Sequence, residues 1–358
     1  MGTKLSALTG DHRCSLSPAG EPAASASADD AAERHAQPVL EAGAGARGLE
    51  RPAAGAMAHP DFIIIGAQKS ASTFLHYCLS QHPDVYVAPG EVPIFEDPDF
   101  AAYHVGYFPE LFRGRSERCL GIRRPNYLGR PEVPARIVEV LPHVKLIAVL
   151  RNPVDRAVSS AFHLMAGSFI PVMDIETCMR RLLQGELQRR YPRAWQILEF
   201  GKYHQCLSAY EEFLARNRMF LVTQDRFLQD KEHVLAEAFR FLGVDDRFVP
   251  ADLASTKQPG HYHPLTQRMV RLANTISHYR DDANVRAHPR GRLARLAGRS
   301  LKEAANLIQA KVLKGAQPRL SEQCRAELAA FYREDIEMLE RLTGWDCSAW
   351  KGGGAAPG

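Results

Sequence analysis

The chain predicts an α/β fold, a single domain with a central parallel sheet flanked by helices. Three observations lead there. Short continuous apolar runs, "FIIIG" at 62–66 and "VKLIAVLR" at 144–151, have the length and composition of buried strands, and "RMFLVTQ" at 218–224 reads as a third strand. Segments of helical period stand between them, and strands alternating with helices imply parallel pairing. Apolar residues make up 45% of the 358 positions and charged residues 24%, enough for a sizeable core under a polar surface.

Residues 1–58 are rich in Ala, Gly, Ser and Pro with no sustained hydrophobic period and read as disordered; Met57, just before "AHPDFIIIG", is an alternative start. The domain is expected over 59–350. Its first strand, "FIIIG", runs into the helix "STFLHYCLSQHP", which has Phe74, Tyr77 and Cys78 on one stripe and stops at Pro83. The strand "VKLIAVLR" leads into the helix "PVDRAVSSAFHLM". "KYHQCLSAYEEFLARN" reads as one amphipathic helix, "RMFLVTQ" as a third strand, and "KEHVLAEAFRFLGV" as a helix closed by Gly243. Residues 265–320 carry 12 Lys and Arg against 3 Asp and Glu and read as a basic helical elaboration. It is either a solvated surface or a track for an anionic acceptor or an anionic lipid surface. "RLSEQCRAELAAFYREDIEMLERL" is a last amphipathic helix, and 351–358 is a frayed, disordered tail.

Composition narrows the function classes. A formal charge of +4 is too mild to argue for a nucleic-acid binder. Seven cysteines, an odd number without a CxxC pair, suggest isolated thiols in a reduced compartment, with neither a disulfide framework nor a zinc site. No run approaches the ~18 apolar residues of a membrane span, and the N-terminus lacks the apolar core of a secretory signal. A cytoplasmic enzyme without a metal or a transmembrane segment is the expectation.

The segment "GAQKSAST" (66–73) follows a buried strand and opens a helix. It is not a Walker A loop: Lys69 comes three residues after Gly66, and no second glycine precedes the helix. The physics is nevertheless that of an anion site, because a helix N-terminus has free N–H groups and a dipole favouring negative charge. Ser70, Ser72 and Thr73 add hydroxyls and Lys69 a charge; a capped helix beside a solvated lysine is the bland reading. A second segment, "LRNPVDRAVSS", sets Arg151 at the C-terminal end of a buried strand, where open α/β sheets bind ligands. Ser159 follows two turns into the next helix. A guanidinium fork suits phosphate oxygens, while a local pair between Arg151 or Arg156 and Asp155 is the structural alternative. Two anion sites on two strand ends point to a nucleotide with phosphates at two positions.

Taken together, "GAQKSAST" resembles the 5′-phosphosulfate loop, and "RNPVDRAVS" the 3′-phosphate motif, of sulfotransferases that use 3′-phosphoadenosine 5′-phosphosulfate (PAPS). The resemblance is to the carbohydrate and heparan-sulfate type and its bacterial relatives, and it runs from about Asp61 to Trp350. It implies the P-loop-NTPase-like sulfotransferase fold. It also implies PAPS held by Gly66, Gln68, Lys69, Ser70, Ala71, Ser72, Thr73 and Phe74 at its 5′ end and by Arg151 and Ser159 at its 3′-phosphate. Lys69 would face the leaving bridging oxygen. In "PGEVPIFEDPDF", Glu91 matches the family's base and Phe95 closes its E-V-x-x-F segment, with Pro93 in place of a polar residue and Glu96 as the fallback base. "GIRRPNYL" resembles the K-T-P-x-Y stretch, which puts Arg123 where a lysine faces the sulfate, beside Arg124 and Tyr127. Tyr203 matches a position near the nucleotide but is equally a core tyrosine, and His204 is a surface histidine. In "STKQPGHYHPLT", Ser255, Lys257 and Tyr262 would close over the nucleotide. The implied reaction is in-line sulfuryl transfer to a hydroxyl, or an amine, of a carbohydrate or small-molecule acceptor, with an anionic acceptor among the options. The rivals are a small metabolite or lipid as acceptor, a kinase-like phosphoryl transferase, and a non-catalytic nucleotide-binding module.

Overall fold

The computed structural model describes residues 59–97, 100–251, 253, 263–280, 287–312 and 320–352. The expected disordered segment 1–58, residues 353–358 of the expected disordered tail 351–358, and the expected closing residues Ser255, Lys257 and Tyr262 lie outside the described residues. Lys351 of that tail is instead helical and pairs with Glu340.

Strand β1 (Phe62–Gly66) is buried along its whole length and leads into helix α1 (Ser72–Leu79). Then come β2 (Val85–Val87), α2 (Phe100–Leu111), β3 (Cys119–Arg123), α3 (Val133–Val140) and β4 (Lys145–Leu150). Helix α4 (Pro153–Ala166) leaves β4, with α5 (Ile175–Leu183), α6 (Glu186–Arg190), α7 (Gln196–Glu199), α8 (Tyr203–Ser208) and α9 (Glu211–Ala215) between it and β5 (Met219–Thr223). Helices α10 (Gln224–Gln229) and α11 (Lys231–Leu242) follow; Gly243 ends α11 at φ 86°, as the sequence suggested. The basic segment forms α12 (Pro264–Ser277), a two-stranded antiparallel hairpin of β6 (His278–Arg280) and β7 (Ala287–Pro289), and α13 (Arg292–Leu307). The long α14 (Glu322–Thr343) and short α15 (Ser348–Lys351) close the described chain.

The main sheet has the order β2-β3-β1-β4-β5, and every pair is parallel. Period-2 alternation divides its side chains between two cores. Ile63, Ile65, Leu146, Ala148 and Leu150 face one cluster, and Phe62, Ile64, Ile147, Val149 and Val222 face the other. A strand apolar on both faces is the physical reason for the unbroken "FIIIG" and "KLIAVL" runs.

Two strands, β2 and β3, were not expected. "VYV" is only three residues long, and "CLGIR" breaks its apolar run with a glycine on whose absent Cβ the Phe62 ring would lie 2.2 Å away. The helix expected over 202–217 is instead two, α8 and α9. Tyr210 between them is fully buried and its hydroxyl donates to the Tyr127 carbonyl at 2.7 Å, which draws the backbone out of helical geometry (φ −109°, ψ 17°). The six described cysteines are all free thiols. Burial pushes Cys78, Cys119, Cys178 and Cys206 up to about 12, so these four stay protonated and unreactive near neutral pH.

Candidate active site

The chain connects β1 to β2 on one side of the sheet and β4 to β5 on the other. The C-terminal ends of the adjacent strands β1 and β4 therefore flank a topological switch point, the place where an open α/β sheet leaves a crevice. The two motifs occupy those two ends: Lys69 lies in the loop after β1, and Arg151 directly follows β4.

Gly66 ends β1 against the 3₁₀ turn Tyr127–Gly129. A Cβ there would sit 2.7 Å from the Leu128 Cβ, so the loop can leave the sheet at this place only because residue 66 has no side chain. Lys69 (φ 68°) and Ala71 (φ 66°) both take left-handed backbone conformations, which cost an L-residue with a Cβ about 1–2 kcal/mol each. Strain of this kind in a ligand loop is consistent with a binding role. Ala71→Gly is expected to raise stability by up to about 1 kcal/mol, and Ala71→Val to lower it by about 2 kcal/mol or more. Urea unfolding of the two variants measures both.

No side chain caps the N-terminus of α1, and no acidic residue stands in its first turn. The N–H groups of its first turn and their dipole are thus left for an anion rather than closed off locally, which fits a phosphate or sulfate. Helix α4 behaves differently. Asn152 caps it, accepting from Val154 N at 3.0 Å and Asp155 N at 3.4 Å, with Pro153 at the first helical position.

A buried network ties the loops together. Gln68, 7% exposed, donates from Nε2 to Asn126 Oδ1 at 3.0 Å and accepts from Ser160 Oγ at 2.9 Å. It thereby joins the loops after β1 and β3 to helix α4. Arg151 Nη1 donates to the Lys69 carbonyl at 3.3 Å, a direct bridge between the two motifs. The Tyr203 hydroxyl accepts from Arg151 N at 3.3 Å and donates to the Arg151 carbonyl at 2.9 Å, with the Ser70 hydroxyl beside it. Tyr203 is fully buried, so it is a core residue and the clamp of the Arg151 turn at once. Ser159 is half-buried on α4, one position before the buried Ser160.

The local pair between Asp155 and Arg151 or Arg156 does not form. Asp155 pairs with Arg325 of α14, and the fully buried Arg156 donates to the Ile197 carbonyl beside the Tyr332 hydroxyl. Removing that competitor leaves the Arg151 guanidinium on the Lys69 loop, at the crevice.

The other wall is charged. Arg123, at the end of β3 and 8% exposed, donates from Nη1 to Thr73 Oγ1 at 2.9 Å and lies 3.8 Å from Glu91 Oε1. Glu91 also accepts from Arg124 Nη1 at 2.6 Å, yet its side chain remains 38% exposed. Glu96 has a side chain only 3% exposed, sits in the 3₁₀ turn Ile94–Glu96, and is paired with Arg124 and Arg130. It is a structural anion without access to the crevice, which corrects its standing as a fallback base. Tyr127 is fully buried; it donates to the Val92 carbonyl and accepts from Phe95 N, and so shapes the Glu91 segment without touching an acceptor. His204 is half-buried, and its backbone N–H donates to Asp335 Oδ2 at 3.0 Å.

Asn126, Ser160 and His76 belong to this site and were not expected from the sequence. His76 lies on α1 one turn beyond Ser72, hydrogen-bonded to the Val87 backbone. Burial, and then the nearby Arg123 charge, push its imidazole down to about 4. Its depressed value makes it a neutral wall of the site at physiological pH. It favours the fold less as the pH falls from its ordinary 6.5 toward 4, because the unfolded chain then binds the proton more readily.

The model of the sulfotransferase domain matches residues 59–256, more than half of the chain. This chain belongs to the sulfotransferase family. Among curated relatives it is 27% identical over 194 residues to heparan sulfate glucosamine 3-O-sulfotransferase 3B1 of Mus musculus, covering 53% of this chain and 48% of that one. It is 31% identical over 103 residues to the membrane-associated sulfotransferase kil1 of Dictyostelium discoideum, covering 28% and 22%. The chain thus spans about half or less of the length of these curated relatives. A sulfotransferase from Alicyclobacillus acidocaldarius has the same fold, with a TM-score of 0.57 at 24% identity, covering 82% of this chain and 99% of that one. The parallel sheet with its phosphate-type loop is accordingly the sulfotransferase fold.

Proposed function

We propose that the protein transfers a sulfuryl group from PAPS to a hydroxyl of a carbohydrate or glycan-bearing acceptor. The observation that carries this reading is the Arg151–Lys69 bridge across the switch point, which unites two anion-binding motifs in one crevice. The β1–α1 loop, with Lys69, Ser70, Ser72, Thr73 and the uncapped helix N-terminus, would hold the 5′-phosphosulfate. Arg151 and the half-buried Ser159 would hold the 3′-phosphate. PAPS supplies an activated sulfuryl group on a good leaving phosphate. Lys69 then neutralises the charge that grows on the bridging oxygen, and Arg123, anchored on Thr73, neutralises charge on the transferring group. Glu91 takes the proton of the acceptor hydroxyl, as the exposed carboxylate of the opposite wall.

The carbohydrate acceptor is supported by the names of the heparan sulfate relatives and by the E-V-x-x-F segment that begins at Glu91. A cytoplasmic setting and the domain limits 59–350 are part of the same reading. The test is transfer of ³⁵S from labelled PAPS to desulfated heparan sulfate, to simple glycosides and to small phenols and alcohols. Label on a sugar hydroxyl supports the proposal. Label on small alcohols alone moves the acceptor class, and PAPS binding without transfer to any acceptor leaves a binding module.

A further inference from the structure

Helix α13 presents three arcs when turned at 100° per residue. Gly298 and Ala305 are buried, with Ala294 and Leu301 half-buried on the same arc. A second arc carries Leu293, Leu296 and Leu307, which are 82%, 54% and 56% exposed. The third carries Arg292, Arg295, Arg299 and Lys302. Helix α12 adds the exposed Leu265 and Leu272, 50% and 53% exposed and two turns apart. The two helices hold six Arg and Lys against Glu303 alone. Arg271 and Asn274 fasten α12 to the body through the carbonyls of Ile170, at 2.8 Å, and Ala166, at 2.9 Å.

A solvated surface explains the arginines but not three leucines on one arc, because exposed apolar area is unfavourable in water. A polyanionic glycan is equally served by the arginines and gives the leucines nothing to bury against. An anionic bilayer uses both. Leucines on one arc enter the acyl boundary, and arginines about a quarter-turn away reach the headgroups. We infer that the α12–α13 pair is a peripheral docking surface for an anionic lipid membrane. Among the described residues no helix is long and apolar enough to cross a membrane, and this surface would lie on one. The inference does not depend on the sulfuryl-transfer reading.

The test is co-sedimentation of the full chain with phosphatidylcholine vesicles, with and without about 30 mol% phosphatidylserine. Binding is expected to the anionic vesicles only, to weaken about fivefold for each basic residue removed in Arg292→Glu and Arg295→Glu, and to fall at least tenfold in the double variant Leu293→Glu/Leu296→Glu. All variants should keep the wild-type far-ultraviolet circular dichroism and urea midpoint, which report an intact fold. Equal binding to neutral vesicles, or none to either, overturns the inference. So does heparin binding that needs the arginines and not the leucines while vesicle binding is absent, which would make the surface a glycan track. A dimer in sedimentation velocity that Leu293→Glu/Leu296→Glu dissociates would overturn it too, because a second copy would then cover the face.

Discussion

Replacing Glu91 with Gln is expected to lower kcat for sulfuryl transfer by about 10²–10⁴-fold, with the affinity for adenosine 3′,5′-bisphosphate unchanged. Glutamine keeps the size and one hydrogen-bond acceptor, so the Arg124 contact at 2.6 Å can survive in part, but it cannot take a proton. Glu91 is the carboxylate that combines exposure to the crevice with a link, through Arg123, to Thr73 of the β1–α1 loop. Glu96 provides the contrast. Its carboxylate is buried among Arg124 and Arg130, so Glu96→Gln should destabilise the fold by about 3 kcal/mol or more while folded molecules keep their turnover. Single-turnover kinetics beside urea unfolding separates the two. Turnover by Glu91→Gln within about threefold of wild type would move the base elsewhere.

Lys69→Ala is expected to lower kcat by about 10²–10³-fold, the loss seen when one preorganised donor to developing transition-state charge is removed. Binding of the product nucleotide should weaken far less. Its phosphate is still met by the open N-terminus of α1 and by Ser72 and Thr73. The left-handed backbone at residue 69 is also tolerated by Ala no worse than by Lys, so the variant should fold. If nucleotide binding collapses while turnover per bound complex stays normal, Lys69 is a binding residue and the assigned role is wrong.

Much of this architecture was legible because the relevant physics is local. An apolar run buried on both faces shows itself in "FIIIG" and "KLIAVL", and a strand that ends in Gly before a hydroxyl-rich helix start marks the loop between β1 and α1. What escaped is non-local. Strand β3 hides behind Gly121, which makes sense only once the Phe62 ring is seen against it. The break between α8 and α9 comes from Tyr210 reaching Tyr127, 83 residues away. The Gln68–Asn126–Ser160 network joins three separate parts of the chain, and no spacing in the sequence announces it. Asn152 could have been found, since Asn before Pro at the head of an apolar-periodic stretch is a helix-cap signal. The different fates of Glu91 and Glu96, five residues apart in one segment, depend on burial that patterning does not carry.

That two strand-end motifs hold one nucleotide with phosphates at both its 5′ and 3′ positions is the proposal on which the function rests. Its most direct test is calorimetric titration of the protein with adenosine 3′,5′-bisphosphate, with AMP and ATP as controls, on wild type and Arg151→Ala. Binding of the bisphosphate at least tenfold tighter than AMP, with that preference lost in Arg151→Ala, is the expected result for a charge-assisted guanidinium–phosphate contact. Equal affinity for AMP and the bisphosphate, or a preference that survives Arg151→Ala, would contradict it and separate the two motifs.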